Sequence, residues 1–261
     1  MGILNATPDS FSNGGVEAGL AAAQRMIADG ADWLDVGGES TRPGAAPVSV
    51  AEELARAIPL IEAIRTSSAI PISIDTMKPA VARAAVAAGA TMWNDVTALV
   101  GSPQSPETAT ELGCKVVLMH MRGEPATMQV APRYDDVVGE VIAFLAARAE
   151  SVIAAGVVRD RIWLDPGIGF GKTATHNLKL LAAIDQIVAL GFPVLLGASR
   201  KGFIRAIDPT ATEPCDRLGA SLAIALAGAR AGVSMVRVHD VRETVQALAV
   251  ALAIEEARTH G

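Results

Sequence analysis

A chain of 261 residues that is 51% hydrophobic but only 3% aromatic can bury a large core, and must build it from Ala, Val, Leu and Ile. Its formal charge of -6 and pI near 5.3 argue against nucleic acid or an anionic membrane as partner, since both call for a cationic face. No apolar run approaches the roughly 20 residues needed to cross a bilayer. No charged leader precedes an apolar segment at the amino terminus, and Cys114 and Cys215 form neither a C-x-x-C pair nor a zinc-like set with histidines. The expectation is a soluble, cytoplasmic protein with free thiols.

In chain order, short apolar runs alternate with longer helical patterns. The runs read as strands are 2–5, 33–37, 71–75, 90–95, 115–121, 161–165, 193–199 and 233–239, each bounded by turn residues. Apolar residues at helical spacing follow them: Val16, Leu20 and Ile27 after the first, Val137, Val141, Leu145 and Val152 after the fifth, Val241, Val245, Leu248 and Leu252 after the last. Gly30, Gly89 and Gly191 stand where helix C-termini favour glycine. Strands alternating with helices predict right-handed crossovers and a parallel sheet, and eight of them close into a (β/α)8 TIM barrel, here one domain over residues 1–261.

In that fold the chemistry gathers at the carboxyl ends of the strands. Those ends deliver Asn5, Asp35, Asp75, Asn94 and Asp95, Asp165, Ser199 to Lys201, and Arg237 to His239. The stretch Leu164-Asp165-Pro166-Gly167-Ile168-Gly169-Phe170-Gly171-Lys172 is the most distinctive of them. A Walker loop needs glycine where Pro166 stands, and the dinucleotide fingerprint needs a third glycine where Lys172 stands, so neither applies. What remains is a loop whose glycines allow close approach to a ligand, beside one carboxylate and one phenylalanine. Acids and amides come from strands two, three, four and six, while Arg42, Lys201, Arg237 and His239 come from the second loop and the last two strands. Carboxylates suit a ligand rich in N–H donors and clustered cations suit an anion such as a diphosphate, so the expected substrate carries both.

Several motifs together resemble the dihydropteroate synthase family along nearly the whole chain. They are Met1 to Ser12, Asp35 to Gly44, Ile74-Asp75-Thr76, Asn94-Asp95-Val96, Met119-His120-Met121, the Asp165 loop, Ser199-Arg200-Lys201 and Arg237-Val238-His239, in family order. The resemblance implies condensation of 6-hydroxymethyl-7,8-dihydropterin diphosphate with 4-aminobenzoate, giving dihydropteroate and pyrophosphate. It implies a pterin site of Asp75, Asn94, Val96, Met119, Asp165, Lys201 and Arg237, and an aminobenzoate pocket of Thr41, Pro43, Phe170, Ser199, Lys201 and Phe11. Diphosphate would meet Asn5, Arg42, Arg237 and His239, with Asn5 also on Mg²⁺, and the catalytic set would be Asp75, Arg42, Lys201, Arg237, His239 and Asp9. Loop one, with Asp9 and Phe11, is expected to close with loop two once diphosphate binds, so that aminobenzoate binds second.

Other conspicuous residues have plainer expectations. His120 is read as a structural histidine facing the helices and His176 as a helix cap. Trp33, Trp93 and Trp163 are read as packing between barrel and helices, and Lys172 as a solvated loop residue. Family members commonly carry an element before the first barrel strand, so the barrel's amino-terminal face is expected to be less covered. A homodimer through the small-residue helix 218–229 is implied by the resemblance. The alternatives are a methyltetrahydrofolate-dependent methyltransferase, which has no use for the cation cluster, and a non-catalytic pterin-binding paralogue.

Overall fold

The computed structural model describes residues 1–6, 15–40, 46–124 and 127–259. The described residues form eight strands, β1 (Gly2–Asn5), β2 (Leu34–Gly37), β3 (Ile72–Asp75), β4 (Met92–Asp95), β5 (Lys115–Met119), β6 (Ile162–Asp165), β7 (Leu195–Leu196) and β8 (Met235–Val236). Between and after them lie α1 (Gly15–Ala28), α2 (Val50–Ser67), α3 (Pro79–Ala87), α4 (Ser105–Leu112), α5 (Val137–Ala154), α6 (Ala174–Ala182), α7 (Ile184–Val188), α8 (Leu218–Arg230) and α9 (Val241–Thr259). Strands β1 to β6 pair in sequence order, all parallel, and β7 pairs with β8. Bridges between Leu164 and Val194, and between Gly2 and Val238, join the two sheets on both sides. Backbone bonds run through them: Leu164 N–H to the Pro193 carbonyl at 2.9 Å, and Ile3 N–H to that of Val238 at 3.0 Å. The ring is closed, and the fold is the expected (β/α)8 barrel.

The last two strands are much shorter than the runs read from sequence. Serine hydroxyls take the place of ladder partners there: Val194 N–H donates to Ser234 Oγ at 3.2 Å, and His239 N–H donates to Ser199 Oγ at 3.2 Å. The helices begin as their sequences dictate. Ser49 Oγ accepts from Glu52 N–H at the start of α2, and Asp136 Oδ1 accepts from Val138 N–H at the start of α5. His176 caps as expected, its Nδ1 accepting from Thr173 N–H while Thr173 Oγ1 accepts from His176 N–H. The α5 stripe of Val137, Val141, Leu145 and Val152 is buried against the barrel.

In α9, by contrast, Val241 is buried but Val245 and Leu252 are 39% and 61% exposed. That helix has 19 residues, about 28 Å at 1.5 Å each, so it outruns the two-residue β8 it follows. Most of the core lies between strands and helices, and Trp93 belongs to it, donating from Nε1 to the Thr76 carbonyl at 2.7 Å. Trp33 and Trp163 do not. They join Met1, Met92, Val117, Leu195 and Met235 in a second cluster at the amino-terminal ends of the strands, because large side chains there close a barrel floor that small ones would leave open. A cavity of about 380 Å³ borders that cluster.

Candidate active site

At the other end, strand register brings the polar groups to one level. Asn5 stands beside Gly37, Gly37 beside Asp75, Asp75 beside Asn94, and Met119 beside Asp165. Arg237 enters from the end of β8 and ties this level to a deeper one: Nε donates to Asp35 Oδ2 at 2.6 Å and Nη2 to Asp75 Oδ2 at 2.8 Å. Asn94 Nδ2 donates to the same Asp35 oxygen at 3.3 Å. The opposite oxygens, Asp35 Oδ1 and Asp75 Oδ1, are buried with no hydrogen-bond partner, as is Ser73 Oγ. Buried acceptors without donors are costly, and N–H groups are what would satisfy them.

The electrostatics agree. Burial pushes Asp75 up to about 7 despite the neighbouring guanidinium, and burial raises Asp165 as well. Burial alone would lower Arg237, but Asp35 and Asp75 hold it above its ordinary value. Asp165 Oδ1 accepts the Gly167 N–H at 2.7 Å, which fixes the carboxylate and leaves Oδ2 turned to other donors.

The glycines of the Asp165 loop serve a different purpose from the one expected. A Cβ on Gly167 would lie 1.9 Å from the His120 carbonyl oxygen, and one on Gly171 would lie 2.2 Å from that of Arg122. Both positions are therefore glycine because the connection after β5 presses on them, and both also have positive φ, 67° and 62°. The loop is pinned from several sides. Gly169 N–H donates to Asn177 Oδ1 at 2.7 Å, Gln129 Nε2 donates to the Gly169 carbonyl at 2.6 Å, and Tyr134 Oη donates to that of Gly171 at 2.9 Å.

Lys172 is not solvated. It is 2% exposed, and its Nζ lies 2.9 Å from His120 Nδ1 while donating to the carbonyls of His120, Gly167 and Phe170 at 3.2, 3.0 and 3.0 Å. Carbonyl acceptors have no signature in a sequence, which is why the residue looked like surface. His120 is the structural histidine expected, packed edge-on against Phe144 at 5.0 Å.

The opposite rim is more open. Lys201 Nζ lies 4.1 Å from the centre of the Phe170 ring, a cation on an aromatic face. Ser199 is buried, and His239 bonds its hydroxyl twice, through the backbone N–H and through Nδ1 at 3.1 Å. Between Ser199 and Lys201, Arg200 has φ of 58°, unusual for a residue with a side chain. That conformation is held by Arg200 N–H to Ser221 Oγ at 2.9 Å, Arg217 Nη1 to the Arg200 carbonyl at 3.0 Å, and an ion pair with Asp240. Val96 and Met119 line a second cavity of about 380 Å³ with Met77, Met121 and Phe144.

Asp9, Phe11, Thr41, Arg42 and Pro43 lie outside the described residues. The described residues bring together Asn5, Asp75, Asn94, Asp165, Lys201, Arg237 and His239 at one mouth. Sequence reasoning counted Asp35 among the acids at the mouth but left it out of the named pterin and diphosphate sets, although an aspartate between buried Leu34 and Val36 was the available signal. Among the described residues no group of three or more His, Cys, Asp or Glu side chains could hold a metal alone. Asn5, at the end of β1 beside Gly37, carries an amide oxygen, a donor type suited to a hard cation that takes its other ligands from water and phosphate.

The family model described as "Pterin binding enzyme" matches residues 1–239. The chain is 47% identical over 254 residues to the dihydropteroate synthase of Escherichia coli (strain K12), covering 96% of this chain and 89% of that one. Among solved structures, it resembles Yersinia pestis dihydropteroate synthase with a sulfonamide drug complex at TM-score 0.93 and 42% identity, covering 98% of this chain and 94% of that one. It resembles Xanthomonas albilineans dihydropteroate synthase with 4-aminobenzoic acid at TM-score 0.92 and 48% identity, covering 98% and 92%.

Proposed function

The chain belongs to the pterin binding enzyme family, and from that premise we infer that it performs the dihydropteroate synthase reaction. 6-Hydroxymethyl-7,8-dihydropterin diphosphate and 4-aminobenzoate condense to 7,8-dihydropteroate and pyrophosphate. The observation that carries this reading is the pair of buried, donor-less oxygens on Asp35 and Asp75, with Asp165 also buried at the strand ends and His239 held by Ser199 on the opposite rim. A pterin edge is a row of N–H donors, and its diphosphate is an anion. The two halves of the mouth match the two halves of that substrate.

In the reaction, the C–O bond from the pterin methylene to the diphosphate breaks with its electron pair going to the leaving group. A C–N bond then forms to the aromatic amine, which loses a proton. No strong base is needed, because the amine is already neutral at pH 7. Asp75, Asn94, Asp165 and Lys201 hold the ring, and Val96 and Met119 pack beside it. Arg237 uses Nε and Nη2 on Asp35 and Asp75, which leaves Nη1 for the substrate and keeps a positive charge over the acidic floor. His239, held by Ser199, and Arg42 meet the charge that develops on the diphosphate. Asn5 would hold Mg²⁺, and the ion would supply further positive charge against the leaving diphosphate. The electron-rich ring delocalises the cation left behind, with Asp75 and Asp9 as its negative neighbours, so the path is SN1-like. Phe170, Thr41, Pro43 and Phe11 wall the aminobenzoate.

The chain reads as one pterin-binding barrel over residues 1–261, cytoplasmic, and paired as a homodimer. Small residues exposed on α8, among them Gly219 and Ala223, and the exposed Val250, Leu252 and Ile254 of α9 support the pairing. Among the described residues no helix is long and apolar enough to cross a membrane. Incubation with the pterin diphosphate, 4-aminobenzoate and Mg²⁺ tests the function. Dihydropteroate is the expected product, and folded protein that forms none would move the reading to a non-catalytic paralogue.

A further inference from the structure

The reaction as described makes no use of Lys172, yet among the described residues no other lysine or arginine is as fully buried. Its Nζ has four acceptors within 3.2 Å, and three of them are backbone carbonyls. Two of those, Gly167 and Phe170, belong to the loop that carries the site, and the third, His120, belongs to the end of the neighbouring strand. We infer that Lys172 is a positioning residue for pterin recognition, fastening the 166–171 loop to the end of β5 so that Asp165 and Phe170 keep their places at the mouth. This rests on the proposed function, since it assigns Asp165 to the pterin.

The geometry gives the chain of cause. Gly167 supplies the N–H that fixes Asp165 Oδ1 and the carbonyl that meets Lys172. Anchoring the carbonyl therefore sets the direction of the N–H through one peptide unit on each side. Phe170 is tied in the same way: its N–H donates to the Gly167 carbonyl at 3.0 Å and its own carbonyl accepts from Lys172. The ring it carries is the one under Lys201. A side chain without N–H donors could not bridge carbonyls arriving from two separate connections, and a shorter one with fewer donors could meet only some of them.

His120 completes the arrangement from behind. Burial first, and then the Lys172 charge, push it down to about 3, so it stays neutral with its Nδ1 2.9 Å from Nζ. Asn177 Nδ2 also donates to the Lys172 carbonyl, at 3.4 Å, so the backbone of the lysine is held as well as its tip.

A lysine that only stabilised the fold would, when lost, reduce the amount of folded protein and leave the affinities of what remains unchanged. The test separates the two. Lys172→Met and Lys172→Gln are purified, checked for fold by circular dichroism, and titrated by calorimetry with a pterin lacking phosphates and, separately, with pyrophosphate and Mg²⁺. The expected result for Lys172→Met is pterin affinity weaker by roughly tenfold or more, with pyrophosphate affinity within about twofold of the parent. The KM for pterin diphosphate rises by a larger factor than kcat falls. Lys172→Gln, which keeps two N–H donors, should fall between. Folded Lys172→Met with unchanged pterin affinity, or with equal loss for both ligands, would overturn the inference. If the Met variant cannot be recovered folded, the Gln variant decides by the same criterion. Parent protein that binds no pterin refutes the functional reading instead, which keeps the two failures distinct.

Discussion

The two sides of the barrel mouth are built differently. On the side of β2, β3, β4 and β6, Asp35, Asp75, Asn94 and Asp165 are buried, cross-braced by Arg237, and short of donors at Asp35 Oδ1 and Asp75 Oδ1. On the side of β7 and β8, Lys201 and His239 are half-exposed and stand on loops shaped by Ser199 and by the left-handed Arg200. The first side is a braced set of acceptors of the kind a donor-rich ring would satisfy. The second presents a lysine and an imidazole that water partly screens. Burial makes a hydrogen bond selective, and exposure makes a charge weak but general, so the floor, with Lys201 at its edge, should decide which heterocycle binds, and the rim around His239 should hold whatever anion it carries.

The largest effect expected from breaking this contrast is at Arg237. Arg237→Met removes the one cation between Asp35 and Asp75 and strands two buried carboxylates, which should cost about 3 kcal/mol of stability along with most pterin affinity. Urea unfolding of the variant measures the first part. A smaller effect should appear with pH at Asp75. Its folded value is raised to about 7 from an ordinary 3.8, so the folded state holds a proton that the unfolded state has lost between those limits. That contribution to stability therefore falls as pH rises from about 4 to 7. Asp75→Asn lacks it, and its stability relative to the parent should climb over the same window. Parallel curves for the two proteins would show that Asp75 titrates normally. The smallest effect is at the rim: His239→Ala should weaken pyrophosphate binding by about 0.5–1 kcal/mol, a loss that fades when the titration is repeated at high salt.

Much of this architecture was legible in the sequence, because a barrel strand must be apolar along its length and polar at one end. Eight runs ending in Asn5, Gly37, Asp75, Asp95, Met121, Asp165, Ser199 and His239 were enough to order the strands and locate the mouth. The ends of β7 and β8 were not legible, since Ser199 and Ser234 replace backbone partners with hydroxyls and nothing local distinguishes them from other loop serines. The glycine loop was found, but the cause of its glycines was misplaced. Gly167 and Gly171 yield to carbonyls of a segment some 50 residues earlier. Lys172 was lost for the same reason, its partners being backbone atoms brought together only by the closed barrel. Trp33 and Trp163 were expected among the helices and instead fill the opposite end, a choice of face that a one-residue shift in register would reverse.

The central claim, that floor and rim read separate parts of one substrate, is tested most directly by a single variant titrated with two ligands. Asp165→Asn keeps an oxygen for the Gly167 N–H but removes the negative charge that faces the ring. Calorimetry with a pterin lacking phosphates should show affinity reduced about 10- to 100-fold, while pyrophosphate with Mg²⁺ binds as it does to the parent. Unchanged pterin affinity, or an equal loss for both ligands, would contradict the division of the site on which this account depends.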